Sequence, residues 1–576
     1  MEQLQCLPYG VGHADEGICL LVQLGPHRVL LDCGLASVAP LVAERQSAPP
    51  VDLVLCTHAH PDHARGLLAL HQTYPKLPIY ASEVTTHLLS LNWTEVANAQ
   101  SQLQSQLQSQ PIPNFCHALP WRTPVEFFDG LSAELYPAGH LPGAAAFLLT
   151  YTSEQRSYSV FYTGDFLLSN SRLVDGLPLE ELRGLKPDVL IVEGSYGTAR
   201  YPHRRQQENQ LAERLHRAIA ENQSIVLPTP TLGMGQELLM LLRSHHHFTG
   251  REVDIWVDGN VALGCDRYLE MLSHFPSTVQ NFARHQPLFW DERIRPRVRS
   301  LLNLSASDRS KAFAQGQTPC IVITDKESDL GQYCSPNTGE WLLLIPSQPG
   351  RMGSVEAAIE HTLGTSPKLR SQIQSGQIAV ETYLLGDHCD GTGTTQLIHN
   401  LRPQHIVFVH GSPTYLTDLA SLEELQNRYH LHTPSAGVQV DLPIGETFLQ
   451  PAAPESNYEG ELTEEEMSIS ITLPDAITRD PRWQNFADTG LVEARWQGEE
   501  LVLRGLTQRE LLAQHAESAS PVALESCEYC RHCRGQRCWN QASPLFGFKV
   551  TPEGYCPAFE PAPIVREEFP SEDNPL

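Results

Sequence analysis

The string Thr57-His58-Ala59-His60-Pro61-Asp62-His63 places three imidazoles and a carboxylate within six residues, directly after the apolar run Leu53–Cys56. Imidazoles with a carboxylate suit Zn2+. On a strand that runs into a loop, alternation sends His58 and His60 to one side, and the turn at Pro61 swings Asp62 and His63 toward a second point. Two cations roughly 3.5–4 Å apart could clamp the attacking and leaving oxygens of a phosphodiester.

Further donors stand at the ends of later apolar runs. Gly139-His140-Leu141-Pro142-Gly143 holds a His between glycines that let the backbone approach closely. Asp165 follows Ser159–Tyr162 and is placed to bridge two cations, and His410 ends Val407-Phe408-Val409. Each alone reads as an ordinary cap or turn residue, but in this order they make a dinuclear set.

The elements that must position them read as α/β. Cys19–Leu24, Val29–Leu31, Leu53–Cys56, Phe147–Tyr151 and Ser159–Tyr162 have strand length and composition. Strand-then-helix patterns follow in Ile225–Leu227 with Gly235–Leu242, and in Ile406–Val409 with Thr417–Arg428. The Gln-rich stretch Gln100–Gln110 reads as a surface helix or lid, with low complexity as the alternative.

Asp32 in Leu-Leu-Asp-Cys-Gly, the H-x-H-x-D-H string, His140 and Asp165 together resemble the metallo-β-lactamase fold, an αββα sandwich with metals at one sheet edge. The resemblance covers about residues 1–195 and 375–450. It implies that a first metal takes His58, His60 and His140, and a second takes Asp62, His63 and His410, with Asp165 bridging. Asp32 is then expected to orient the ligand loop from behind.

About 245 residues separate Asp165 from His410. That gap resembles the β-CASP subgroup, which includes RNase J and the endonuclease of mRNA 3′-end processing. There an inserted domain, here residues 196–374, caps the site and forms a nucleic-acid cleft. The subgroup's three extra motifs match Glu193 in Glu-Gly-Ser-Tyr-Gly, His388 in Gly-Asp-His-Cys-Asp, and His410. The segment from Leu227 to Glu237 resembles the insertion's strand–Gly–Gln–Glu–helix piece. On this resemblance the expected chemistry is hydrolysis of RNA by a water activated between two zinc ions. His388 is the expected general acid, Glu193 orients it and raises its basicity, and Asp62 orients or deprotonates the water.

Three features depart from the subgroup. Gly386 stands where Ser is usual, Met234 replaces a commonly basic position, and Ile321–Thr324 runs into the acidic Asp325–Asp329 in place of a Gly-Gly-Met-type turn. Two other readings therefore stay open: a hydrolase of a small ester or thioester on the same fold, and a catalytically weakened RNA-binding scaffold. The Arg-rich run Arg293–Arg299 could track a phosphate backbone or form a solvated helix face. His245–His247 reads as an exposed turn.

Over 576 residues there are 40 Lys+Arg against 67 Asp+Glu, a formal charge of −27. Such a chain should not adhere indiscriminately to nucleic acid or anionic membranes. The acidity is uneven, because residues 196–374 hold 19 basic and 18 acidic side chains. Residues 451–576, entered through the acidic, apolar-poor stretch 455–466, hold 10 and 22.

In that last region Cys527, Cys530, Cys533, Cys538 and Cys556 crowd into 527–556, as in structural zinc sites, with iron–sulfur ligation as the alternative. Nine further cysteines are scattered from Cys6 to Cys389. With no basic-then-apolar leader and no apolar run of membrane-spanning length, they suggest a reducing cytosol. RNA is the expected partner and no membrane is; the acidic C-terminal region offers a surface for a protein partner, and an oligomer is compatible with the sequence.

Overall fold

In the computed structural model, the described residues are 4–13, 16–42, 49–93, 114–302, 304–305, 307–309, 319–326, 328–334, 339–347 and 367–445. Nearer the C-terminus they are 461–465, 468–472, 492–497, 500–505, 530–534, 537–540 and 560. The chain divides into two compact units, Met1–Ala453 and Pro454–Leu576.

The first unit is an α/β structure built on three sheets. One seven-stranded sheet runs, in hydrogen-bonded order, Val440–Asp441, Leu4–Val11, Ile18–Leu24, His27–Leu31, Leu53–Leu55, Ile79–Ser82 and Cys116–Leu119. A second runs His430–His432, His405–Val409, Val189–Glu193, Ser157–Tyr162, Ala145–Thr152, Leu131–Pro137 and Val125–Phe128. Alternate residues of both, among them Leu20, Leu31 and Leu55 from one and Phe147, Val160 and Ile191 from the other, share a single buried core. The opposite-facing residues Leu30, Val54, Phe161 and Leu190 pack into a second core with the helices. Two sheets face to face with helices outside give the sandwich that the sequence leads one to expect.

The third sheet has six parallel strands, in the order Arg297–Ser300, Asp254–Val257, Cys320–Asp325, Ser224–Thr229, Trp341–Pro346 and Ile378–Tyr383. Its central strands are buried at every position, as a parallel sheet covered on both faces requires. The sixth strand lies past the expected boundary at residue 375. Ile378–Tyr383 still pairs with Trp341–Pro346, so the chain leaves this sheet only after Tyr383.

Element ends shift by a residue or two from the expected ones, and one helix is split. Thr417–Arg428 is in fact Pro413–Ala420 and Glu423–Gln426, broken at Ser421 and Leu422. Gln100–Gln110 lies outside the described residues. Among its described residues the second unit contains three two-stranded hairpins, the last pairing Cys533–Arg534 with Arg537–Cys538. Among the described residues no helix is long and apolar enough to cross a membrane.

Candidate metal centre

The H-x-H-x-D-H string leaves strand Leu53–Leu55 and passes into a one-turn helix, Pro61–Ala64. His60 stays extended (φ −67°, ψ 147°), and Pro61 opens the helix, where its fixed φ costs no hydrogen bond. The backbone switch at Pro61 separates His58 and His60 from Asp62 and His63. Gly34 lies so close beneath this loop that an added Cβ would sit 1.6 Å from the Asp62 carbonyl oxygen.

The other expected residues arrive from strand ends of the second sheet. His140 follows Leu131–Pro137, Asp165 follows Ser157–Tyr162, Glu193 ends Val189–Glu193 and His410 follows His405–Val409. His388 comes from the segment between Ile378–Tyr383 and helix Gly391–Leu401.

These side chains converge in overlapping groups whose donor atoms lie within 4.8 Å of one another: His58, His60, His140 and Asp165; Asp62, His63 and His410; and Asp165, Glu193, His388 and His410. Asp165 stands between the sets, with its oxygens 3.5 Å from His58 Nε2, 3.3 Å from His63 Nε2, 3.7 Å from His140 Nε2 and 3.6 Å from His410 Nδ1. His410 Nε2 faces Asp62 Oδ2 at 3.4 Å.

Two buried polar atoms here, His63 Nε2 and Asp165 Oδ1, face each other at 3.3 Å and meet no partner in hydrogen-bond geometry. Buried polar atoms are rarely left this way, and a cation between them would satisfy both. Burial, reinforced by neighbouring imidazoles, holds His58 and His140 below the usual histidine range and His60 down at about 4. These three rings are therefore neutral, the form that ligates metal.

Asp32 is fully buried and accepts four hydrogen bonds, from Thr57 N (2.7 Å), Thr57 Oγ1 (2.9 Å), His63 Nδ1 (2.8 Å) and Tyr162 OH (2.7 Å). It thus grips the root of the ligand loop and one of its rings together. Asp32 and His410 both adopt positive φ, 58° and 52°, uncommon outside glycine and costly unless the surroundings enforce it. At His410 the room comes from Gly12, where a Cβ would meet the imidazole at 2.9 Å.

The buried Glu193 and the half-buried His388 form a pair, with the imidazole Nδ1 3.0 Å from both carboxylate oxygens. Burial alone would depress the His388 imidazole, but Glu193, Asp387 and Asp165 outweigh it and lift it to about 10. Glu193 also accepts from Phe166 N at 2.9 Å and from Ser195, which ties it to the backbone beside Asp165.

Sequence reasoning passed over the partners on the far sides of the rings. His140 Nδ1 donates to the Asp387 carbonyl at 2.7 Å, and His60 Nε2 to the Leu232 carbonyl at 3.3 Å. Backbone acceptors leave no residue-type signal. Ser195 and Tyr162 do carry side chains that could have been noticed beside Glu193 and Asp165.

The departures from the subgroup prove local. A Cβ on Gly386 would make only ordinary contacts, the nearest 3.5 Å to Tyr196, so the position has room for a side chain it lacks. Met234 is buried and accepts from Tyr383 OH through its sulfur at 3.4 Å. Asp325 accepts from Asn260 N at 2.5 Å and Thr231 Oγ1 at 3.3 Å, so it staples loops of the third sheet together.

The Arg293–Arg299 run is not a helix face; it ends in strand Arg297–Ser300 and is ion-paired throughout. Arg295 pairs with Glu252, Arg297 with Asp254 at 2.6 Å, and Arg299 with Glu292 at 3.7 Å. His245–His247 follow helix Met234–Ser244, with His246 exposed but His245 buried and within 3.3 Å of Asn209. In the second unit Cys533 and Cys538 pair across the hairpin, and the Cys533 amide donates to the Cys530 carbonyl at 3.1 Å. Cys527 and Cys556 lie outside the described residues.

With this geometry in hand, comparison with known proteins is informative. Residues 16–217 match the family described as the metallo-beta-lactamase superfamily, and residues 377–434 match the Zn-dependent metallo-hydrolase RNA specificity domain. The chain is 48% identical to the uncharacterized protein sll0514 of Synechocystis over 96% of each sequence. The chain belongs to the metallo-beta-lactamase superfamily. Within it the protein is of the β-CASP type, and it is a metallo-hydrolase. Several relatives carry names that state an activity, two of which follow. Endoribonuclease ysh1 of Schizosaccharomyces pombe is 25% identical over 77% of this chain and 59% of its own length. Ribonuclease TTHA0252 of Thermus thermophilus is 26% identical over 74% of this chain and 97% of its own.

Proposed function

We propose that the protein is a di-zinc ribonuclease that hydrolyses RNA phosphodiester bonds during RNA processing or decay in the cytosol. One observation carries the reading: the donor sets His58/His60/His140/Asp165 and Asp62/His63/His410, joined where His63 Nε2 comes within 3.3 Å of Asp165, stand beside the imidazole–carboxylate pair of the half-buried His388 and the buried Glu193. The RNA specificity match and the names of the relatives favour RNA over a small ester as substrate.

In this reading one zinc would be held by His58, His60 and His140 and the other by Asp62, His63 and His410, with Asp165 shared between them. When bound, the zinc ions supply a nucleophilic water and neutralise the charge that gathers on the phosphate. Asp62, whose side chain is 25% exposed, orients the attacking water from the open side. His388 carries a proton at neutral pH and delivers it to the departing sugar oxygen. Glu193 fixes its Nδ1, so Nε2 is the nitrogen that faces the leaving group. Asp32 keeps the ligand loop in register.

The division into a hydrolase domain (1–195 and 375–450), an inserted domain (196–374) and an acidic C-terminal region (451–576) belongs to the same proposal, with its internal boundary moved to follow Tyr383. So does a structural zinc at Cys527, Cys530, Cys533, Cys538 and Cys556, with iron–sulfur ligation as the alternative. The acidic region is the proposed site for a protein partner.

The test incubates the purified protein with end-labelled RNA, single-stranded DNA and a chromogenic ester, with and without chelator. RNA cleavage that chelator abolishes supports the reading. Intact RNA at every metal condition, beside turnover of the ester, overturns it.

A further inference from the structure

His410 is the last of the expected active-site ligands along the chain, and its two ring nitrogens face different neighbours. Nε2 looks toward Asp62 Oδ2 at 3.4 Å, while Nδ1 lies 2.8 Å from the hydroxyl oxygen of Ser195. Asp165 Oδ1 is farther from Nδ1, at 3.6 Å. Which nitrogen ligates is therefore decided by which one carries the proton, and Ser195 is the nearest group able to settle it.

The proton count around Ser195 gives one answer. Its hydroxyl has a single hydrogen and two acceptor sites. The oxygen sits in short contact with Glu193 Oε2, a carboxylate that also takes Phe166 N, Ser195 N and the His388 ring. A charged acceptor at such close range takes the hydroxyl hydrogen in preference to the neutral His410 carbonyl, which lies 3.3 Å away. The hydroxyl oxygen is then left as acceptor toward His410 Nδ1. Ser195 is 9% exposed, so little water competes for either contact.

We propose that Ser195 is a positioning residue that holds His410 with Nδ1 protonated and Nε2 bare toward Asp62, through a chain running His410 Nδ1–H to Ser195 Oγ–H to Glu193. The same carboxylate thereby supports both the His388 ring and a ligand of the second metal. This role rests on the two-zinc reading above and adds a residue that neither the sequence motifs nor the family matches assign.

The experiment uses the full-length protein loaded with zinc and titrated with a competing chelator, so that the dissociation constants of the two active-site zincs are read directly, any zinc at the cysteine cluster being counted separately. Wild type is compared with Ser195→Ala, Ser195→Thr and Ser195→Val. Thr retains the hydroxyl and Val removes it at nearly the same shape, so steric effects cancel in that pair even if Ser195→Ala folds poorly. The expected result is a loss of about 10–100-fold in the affinity of one zinc for Val and Ala, the other zinc being unchanged, with Thr close to wild type. Wild-type affinity in Ser195→Val, or an equal loss in Thr and Val, overturns the role of the hydroxyl. A wild-type chain that takes up only one zinc overturns the two-metal reading and this role with it.

Discussion

The Nε2 of His60 lies 3.3 Å from the carbonyl oxygen of Leu232, a residue 172 positions further along the chain. The other nitrogen of the ring, Nδ1, is 3.2 Å from His58 Nε2 and 3.0 Å from His140 Nε2, so it is the one that faces the donor cluster. A carbonyl between strand Ser224–Thr229 and helix Met234–Ser244, part of the inserted sheet, therefore sets the tautomer of a residue on the first sheet. His140 is fixed in the same way by the Asp387 carbonyl. The inserted sheet thus contributes a backbone group to the donor cluster.

Gly233 makes that arrangement testable. It has φ 87° and ψ −94°, a conformation open to glycine and strained for any residue with a Cβ. The space itself is free, since the nearest atom to an added Cβ is 3.8 Å away on Leu141. Gly233→Ala should therefore rotate the Leu232–Gly233 peptide without a side-chain clash and withdraw the carbonyl from His60. The expected effect is a loss of about 10–100-fold in the affinity of one zinc, with slower RNA cleavage. Chelator competition measures it, and unchanged affinity for both zincs would show that the Leu232 carbonyl does not matter.

His388→Ala should abolish RNA cleavage while both zincs stay bound. The ring contributes a proton, and its carboxylate partner Glu193 keeps its backbone donor Phe166 N when the ring is gone. General acids typically contribute roughly 10²–10⁴-fold in rate. Metal content by elemental analysis, set beside single-turnover cleavage, separates this role from ligation; loss of a zinc would refute it.

The sequence made the cluster of donor side chains legible because the side chains that suit a metal are few in type. His58, His60, Asp62, His63, His140, Asp165 and His410 could be named from identity and order, and Glu193 and His388 from the resemblance. The strands were legible as short apolar runs, and the sandwich through the resemblance. What escaped were groups with no type restriction, such as the Leu232 and Asp387 carbonyls, and the strand Ile378–Tyr383, whose pairing partner is fixed by topology alone. The Arg293–Arg299 run misled because composition shows cations but not the Asp and Glu side chains that neutralise them.

Asp32 should matter more for folding than for the chemical step. A buried carboxylate holding four donors cannot be removed without leaving those donors unpaired, a loss of about 3–5 kcal/mol for a buried charged network. Asn at this position keeps the shape and tolerates positive φ, whereas Ala does neither. Thermal unfolding of the metal-free protein should therefore rank wild type above Asp32→Asn and Asp32→Ala last. Equal melting temperatures for the two variants would contradict this account.

The arginines of the inserted sheet give a prediction of the opposite kind. Arg297 is paired with Asp254, Arg299 with Glu292 and stacked 5.3 Å over the Trp256 ring, and Arg295 with Glu252. A guanidinium already neutralised by a carboxylate releases few counterions when RNA binds, and the chain as a whole carries −27. Binding must then draw its positive charge from the metals. Doubly substituting Arg297→Ala and Arg299→Ala should change RNA affinity by no more than about twofold and leave its salt dependence unchanged, whereas removing a cation that grips a phosphate would lower the slope by about one. Stripping the zinc from the wild type should weaken RNA binding far more than that substitution does. Filter binding at several salt concentrations reads both effects; a tenfold loss on removing the two arginines, with metal-free protein still binding RNA well, would place the phosphate grip on the inserted sheet and away from the metals.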